Sequence, residues 1–277
     1  MKFSAAVKEI FAKENIDCIG TVPLSACKIL RPYLLEREGI DASGEGSVIV
    51  FAQPYYAPDA EKRNISLYAV PRDYHAFFRE LFGRILPRLK DAFPDNKFAA
   101  FSDHSPIDEV HAAAISGIGV IGKNHMLITE KYSSLVFIGA VICDLPTEEK
   151  ACSIRLCEDC GACEAACPVG LDASRCLSAL SQKKGELTDD EKQALLENGS
   201  VWGCDVCQLA CPHTKKAIES GSIVTRSPFF LEKRTPYLDR KALDEMNDAE
   251  FSERAYSWRG RKTIQRNIDL FMGDKEC

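Results

Sequence analysis

The chain has 277 residues, 45% apolar and 27% charged, with a formal net charge of −6. That suits one large or two modest globular domains with cores of their own, and the negative balance argues against wholesale coating of nucleic acid or membrane while leaving room for a local basic patch. The longest apolar run, residues 135–143, is far shorter than the roughly twenty residues that cross a bilayer, and the N-terminus lacks the continuous apolar stretch of a secretory signal. A cytoplasmic protein without membrane association is expected.

In chain order, Val7, Ile10 and Phe11 fall at helical spacing in a first amphipathic helix. Residues 48–52 read as a buried strand that breaks at Pro54 into Tyr55 and Tyr56. Tyr74, Phe77, Phe78, Leu81, Phe82 and Ile85 form a helical stripe with Asp73 as N-cap. A short strand over 98–101 runs into a polar turn, a helix ends near Gly117, and 134–143 is a second buried strand. Gly117, Gly119 and Gly122 mimic a dinucleotide fingerprint, but that motif follows a strand and opens a helix, whereas this one follows a helix. It reads as a permissive loop that lets the backbone approach a partner or a flat ligand. Thr188 with Glu191, and Asn247 with Glu250, have capping-box spacing, and Gly199 stops the helix after the first box. Between 252 and 268, Arg254, Arg259, Arg261, Lys262 and Arg266 face only one acid, Glu253. This is a local positive patch, suited either to internal ion pairs or to an anion such as phosphate.

The cysteines carry the chemistry. Of thirteen, eight lie between 157 and 211, in a chain neither short nor loop-rich enough for a disulfide scaffold. The first run is Cys157-x2-Cys160-x2-Cys163-x3-Cys167-Pro168, the spacing of two-cluster ferredoxins, in which the fourth cysteine serves the other cluster. The second is Cys204-x2-Cys207-x3-Cys211-Pro212. By that crossing rule Cys157, Cys160, Cys163 and Cys211 bind one [4Fe–4S] cluster, while Cys167, Cys204 and Cys207 bind the other. The missing eighth ligand is assigned to Cys176, with Cys152 and Cys143 as fallbacks. Zinc is the competing reading, and three cysteines at two-residue steps suit it poorly. Cys18, Cys27 and Cys143 read as inert buried thiols, and Cys277 as exposed.

Taken in order, "YAVPRDYH", "SDHSPIDE", "GIGVIGK", the paired cysteine runs, "WGCDVCQLACP" and "RGRKTIQRN" resemble the epoxyqueuosine reductases, over residues 45–270. The resemblance implies an α+β fold with an N-terminal corrinoid-binding domain (reductive-dehalogenase/nitroreductase-like), placed at 1–150. A bis-[4Fe–4S] ferredoxin-like domain at 151–217 and a C-terminal helical segment with the basic patch at 218–277 follow. It implies cobalamin and two [4Fe–4S] clusters, an external donor such as flavodoxin or ferredoxin, and two-electron, two-proton removal of the epoxide oxygen of epoxyqueuosine in tRNA. Asp103 maps onto the family's acid, expected to keep its proton through burial against the corrin; as a bare turn residue it would instead cap the next helix. His104 and His111 take surface or cap roles. Tyr55, Tyr56, Tyr68, Lys123 and Asn124 are the expected corrinoid contacts. Arg259, Arg261, Lys262 and Arg266 are expected to touch the anticodon stem-loop backbone.

Three departures bear on the substrate. Family members continue into a helical-repeat extension that helps hold tRNA, so a short form is expected here. Glu109 is followed by Val110, and Leu67 precedes "YA", where the family often carries basic residues. The alternatives are a corrinoid reductase of a small molecule or of another corrinoid protein, and a non-catalytic two-cluster electron carrier.

Overall fold

Residues 47–54 and 136–143 are apolar nearly throughout because helices cover both of their faces. In the computed structural model, which describes residues 2–59 and 62–273, the chain packs as two units. One comprises Met1–Pro54, Phe77–Cys160 and Lys216–Ile223, the other Tyr55–Ala76, Gly161–Lys215 and Val224–Cys277. The units interleave along the chain.

The first unit contains α1 (Phe3–Ala12), β1 (Cys18–Pro23), α2 (Pro32–Arg37), β2 (Ser47–Pro54), most of α3 (Tyr74–Ala92), β3 (Phe98–Phe101), α4 (Glu109–Ile115), β4 (Val120–Ile121), β5 (Leu127–Ile128) and β6 (Val136–Cys143). An antiparallel sheet runs β1-β2-β6-β3, with β2 and β6 in the middle. On one face Phe51 meets Phe11 of α1 at 5.0 Å between ring centroids and Phe78 of α3 at 5.8 Å. On the other, Val48, Val50, Ala140 and Ile142 share a core with Ala112, Ala113 and Ile115 of α4. A strand buried on both faces loses the alternation of polar and apolar residues, hence the unbroken runs. Val7, Ile10 and Phe11 are buried as the first helix required. Asp73 accepts from the His75 N–H at 2.9 Å, just where α3 begins. The three glycines after α4 lead into a small β4–β5 hairpin rather than into a helix.

The second unit holds α5 (Ala162–Ala166), α6 (Leu177–Ser181), α7 (Asp189–Asn198), α8 (Val206–Ala210), the start of α9 (Pro212–Glu219), α10 (Pro228–Leu231), α11 (Arg240–Glu245), α12 (Asp248–Ser252) and α13 (Arg261–Gly273). Both capping boxes form, at Thr188–Glu191 and Asn247–Glu250. Its core gathers Trp202, Tyr256, Leu238, Ile264 and Ile268 around Ile65 and Val70. Gly203, at φ +71, sits where a Cβ would run into the Cβ of Ser66, so both its backbone angle and its space demand glycine. Cys277 lies outside the described residues. Among those described, no helix is long and apolar enough to cross a membrane.

Gly139 pairs with Phe51 across β2 and β6. A Cβ there would enter the Phe78 ring and stand 2.5 Å from Phe51 Cζ. Gly139→Ala should therefore cost about 1–3 kcal/mol through overpacking, read as a lower urea midpoint at unchanged m-value.

Candidate functional site

The two cysteine runs fold alike locally. α5 and α8 each span five residues, and each ends with a cysteine at the C-cap, Cys167 (φ −72, ψ 122) and Cys211 (φ −63, ψ 127). Pro168 and Pro212 are the cause: the residue before a proline is driven out of the helical region, so each helix stops at its last cysteine. α5 packs against α8. Cys163 on α5 and Cys207 on α8 are half-buried.

Within the second unit the structure brings Cys167, Cys176 and Cys204 together. The Cys204 thiol is pushed above its ordinary value first by burial, then by the charge of Asp205, and then by Cys176 and Cys167. Cys204 with these two neighbours is a sulfur donor set suited to a cation. The two fallbacks belong to the first unit. Cys143 is buried in β6 of the first unit, and Cys152 is exposed there, its Sγ 3.5 Å from where a Cβ on Gly117 would sit. Among the described residues no three Cys, His, Asp or Glu side chains gather closely enough for one metal ion. A mononuclear zinc site draws thiolates to about 2.3 Å from a single point, whereas a cubane holds them on separate irons and so farther apart. Cys167, Cys176, Cys204 and Cys207 are all half-buried.

The second cysteine run is fixed by Asp205, 5% exposed. Its carboxylate accepts from Arg63 Nη1 at 2.5 Å, from the Leu67 N–H at 2.8 Å, and from the Ser66 hydroxyl. In the first unit Cys157 is half-buried and Cys160 exposed. The Lys123 N–H donates to Cys157 Sγ at 3.3 Å, and the Lys123 ammonium pairs with Asp159 at 3.0 Å. Hydrogen bonds to sulfur are among the contacts that tune a cluster's potential. Burial raises the thiols of Cys18 and Cys27 to about 12 and that of Cys143 to about 11, which keeps them protonated and unreactive.

The expected corrinoid contacts divide. Tyr55 is buried, with its hydroxyl held by Gln208 and its ionisation driven up first by burial and then by the Asp205 charge. Asn124 is buried too, its amide oxygen accepting from the Met126 N–H at 3.3 Å. Neither presents an open face to a cofactor. Tyr56 and Tyr68 are half-buried and Lys123 is exposed, and the Tyr68 hydroxyl accepts from Trp202 Nε1 at 2.8 Å.

Asp103 lies in the turn before α4. It is exposed, at φ +65, and Asp108 rather than Asp103 caps α4, accepting from the His111 N–H at 3.0 Å. His104 is exposed, but the His111 ring is buried, its ionisation lowered first by burial and then by Lys28. The buried acid of the stretch is Glu109. Burial, and after it the Asp103 charge, lift its carboxyl to about 8 against the pull of hydrogen bonds from the Asp103 N–H and the Ser105 side chain. In the sequence Glu109 has the look of an ordinary first-turn acid, because the groups that bury it come from the preceding turn.

The basic stretch is largely spent inside the second unit. Arg261 donates to the carbonyls of Leu243 and Met246 at 2.9 and 2.6 Å and lies 4.4 Å over the Phe251 ring. Arg266 donates to the Lys183 and Gly185 carbonyls at 2.7 and 2.5 Å, and the Asn267 amide reaches the Ser181 and Val201 carbonyls, both at 2.8 Å. These two arginines thus tie elements of the second unit together. Lys262 is exposed, and Arg259 stacks 3.7 Å over the exposed Trp258 ring.

Fold and cysteines together define an α+β protein carrying two cysteine runs of ferredoxin spacing. Residues 42–104 match the family model described as epoxyqueuosine reductase QueG, DUF1730. The epoxyqueuosine reductase of Listeria monocytogenes is 33% identical over 214 residues, 72% of this chain and 54% of that protein. That of Gloeobacter violaceus is 30% identical over 236 residues, 80% of this chain and 72% of its own length. This chain belongs to the epoxyqueuosine reductase family. It spans about half the length of several curated relatives it matches, the Listeria protein among them. A solved epoxyqueuosine reductase with a tRNA-Tyr epoxyqueuosine-modified stem loop superposes with TM-score 0.73 at 26% identity, over 96% of this chain and 80% of that one. The Bacillus subtilis enzyme, solved with a catalytic aspartate loop swung out of the active site, gives TM-score 0.75 with the same identity and coverage.

Glu109 makes stability depend on pH with a definite sign. Its folded value lies above its unfolded one, so between about 4.5 and 8 the folded state binds more protons and stability falls as pH rises. Glu109→Gln should flatten this part of the profile, which denaturant melts at pH 5 and pH 8 would reveal.

Proposed function

We propose that the chain is a cobalamin- and iron–sulfur-dependent reductase that converts epoxyqueuosine to queuosine in tRNA. The observation that carries this reading is the gathering of Cys167, Cys176 and Cys204 in one unit of a chain from this family. When bound, the clusters would carry electrons from an external flavodoxin or ferredoxin, and the corrinoid would supply the reducing power that opens the epoxide carbon–oxygen bond. Cys157, Cys160, Cys163 and Cys211 would hold one cluster, and Cys167, Cys176, Cys204 and Cys207 the other. Tyr56 and Tyr68 keep surface with which to meet the corrin.

The chain's own work is protonic and positional. Opening the epoxide leaves an alkoxide oxygen, and removing it as water takes two electrons and two protons. Asp103, exposed on a left-handed turn, would pass a proton to that oxygen; the relative solved with a displaced aspartate loop supports a catalytic acid that moves. Lys262 and Arg259 are the cations left for RNA phosphate, with Trp258 as an aromatic surface beside them. A second reading changes only the substrate, to a small molecule or another corrinoid protein. It is favoured by the internal use of Arg261 and Arg266.

Anaerobic reconstitution with iron, sulfide and cobalamin, followed by turnover on an epoxyqueuosine-containing stem loop, tests the proposal. Wild-type protein should bind about eight irons, and Cys176→Ala about four. Asp103→Asn should keep its iron yet lose activity by about 10²-fold or more. Affinity for the stem loop should fall steeply with salt, and Lys262→Ala should make that slope shallower by about one. Salt-insensitive or absent RNA binding by active protein would favour the second reading.

A further inference from the structure

The Asp103 turn has a second acid behind it that no step above uses. Residues 28–31 hold the far side of the turn: Leu30 and Arg31 N–H groups donate to the Pro106 carbonyl at 2.8 and 3.1 Å, and Arg31 Nη1 to the Ser105 carbonyl at 2.8 Å. The Glu109 carboxyl receives the Asp103 N–H and the Ser105 side chain, which ties the left-handed turn to the first residue of α4. Its Oε1 is fully buried and has no hydrogen-bond partner, although the residue as a whole is only half-buried. A buried carboxylate oxygen without a donor is costly; carrying a proton, the same oxygen becomes a donor in search of an acceptor. The charged groups around it are Asp103 and Asp108, with Lys28 3.9 Å from Asp108, Arg31 on the Ser105 carbonyl, and His104 and His111 on either side in sequence. Asp103 is the charge that acts on it most strongly, and when two carboxyls share a site one of them keeps its proton.

We infer that Glu109 is the neutral acid of a pair with Asp103, and that it passes its proton to the Asp103 carboxylate, which delivers it to the substrate oxygen. The Glu109 O–H bond breaks as an Asp103 O–H bond forms, the Asp103 O–H bond breaks as the substrate O–H bond forms, and Glu109 recovers its proton from water after each transfer. Two protons per reaction can then pass through one exposed acid. The inference rests on Asp103 as the acid of the proposed reaction, and its test separates the two.

The readout is the carboxyl C=O band in pH-difference infrared spectra of the full chain. Wild type should show a protonated carboxyl at neutral pH that titrates near 8 and is absent from Glu109→Gln. Asp103→Asn should move that midpoint downward, because the like charge is gone. In the loaded enzyme Glu109→Gln, which keeps the acceptor oxygen for the turn, should lower kcat about tenfold or more at unchanged KM and change the alkaline limb of the pH–rate profile. A midpoint in the ordinary glutamate range, or one that Asp103→Asn leaves in place, overturns the pairing even if Glu109→Gln does not fold. Full activity in Asp103→Asn would remove Asp103 as the acid, while the infrared midpoints still decide whether the two carboxyls are coupled.

Discussion

The second unit hangs on one buried carboxylate. Asp205 lies between Cys204 and Cys207 and binds three donors from residues 63–67, a segment about 140 positions away in the chain. A charge so deeply buried is tolerable only when its oxygens are filled, and here a guanidinium, a hydroxyl and a backbone N–H fill them. The result is that the cysteine loop cannot adjust without uncovering a charge. Tyr55 and Gln208 join the same neighbourhood, so a residue expected to meet a cofactor also braces the cysteine loop. The positioning of the thiols and the burial of Tyr55 are thus one arrangement.

Local chemistry was largely legible in the sequence. Both capping boxes, the break at Gly199, the buried strands and the aromatic stripe of α3 follow from spacing alone, because each depends on neighbours a few residues away. Pro168 and Pro212 likewise announce where α5 and α8 must stop. The nearness of Cys176 to Cys167 and Cys204 was accessible by elimination among the thiols between the two runs.

What escaped was set by distant partners. Nothing near Tyr55 in sequence reveals Asp205 or Gln208. Arg261 and Arg266 look solvated until Leu243, Met246, Lys183 and Gly185 are seen to offer carbonyls. Glu109 looks like a helix-terminal acid until the turn from 102 to 108 folds back over it, with Asp103 exposed beside it. The interleaving of the units is equally invisible locally, since residues 55–76 bear no sign that they pack with residues beyond 160.

The fate of Arg266 and Asn267 bears on how the "RGRKTIQRN" segment is understood. Both side chains staple α13 to the stretch between the cysteine runs, so selection for a well-built scaffold would preserve them whatever the molecule acts upon. A descendant that had abandoned nucleic acid altogether would still carry this signature. The segment marks ancestry and architecture, and the record of substrate preference belongs to the few neighbours that face water.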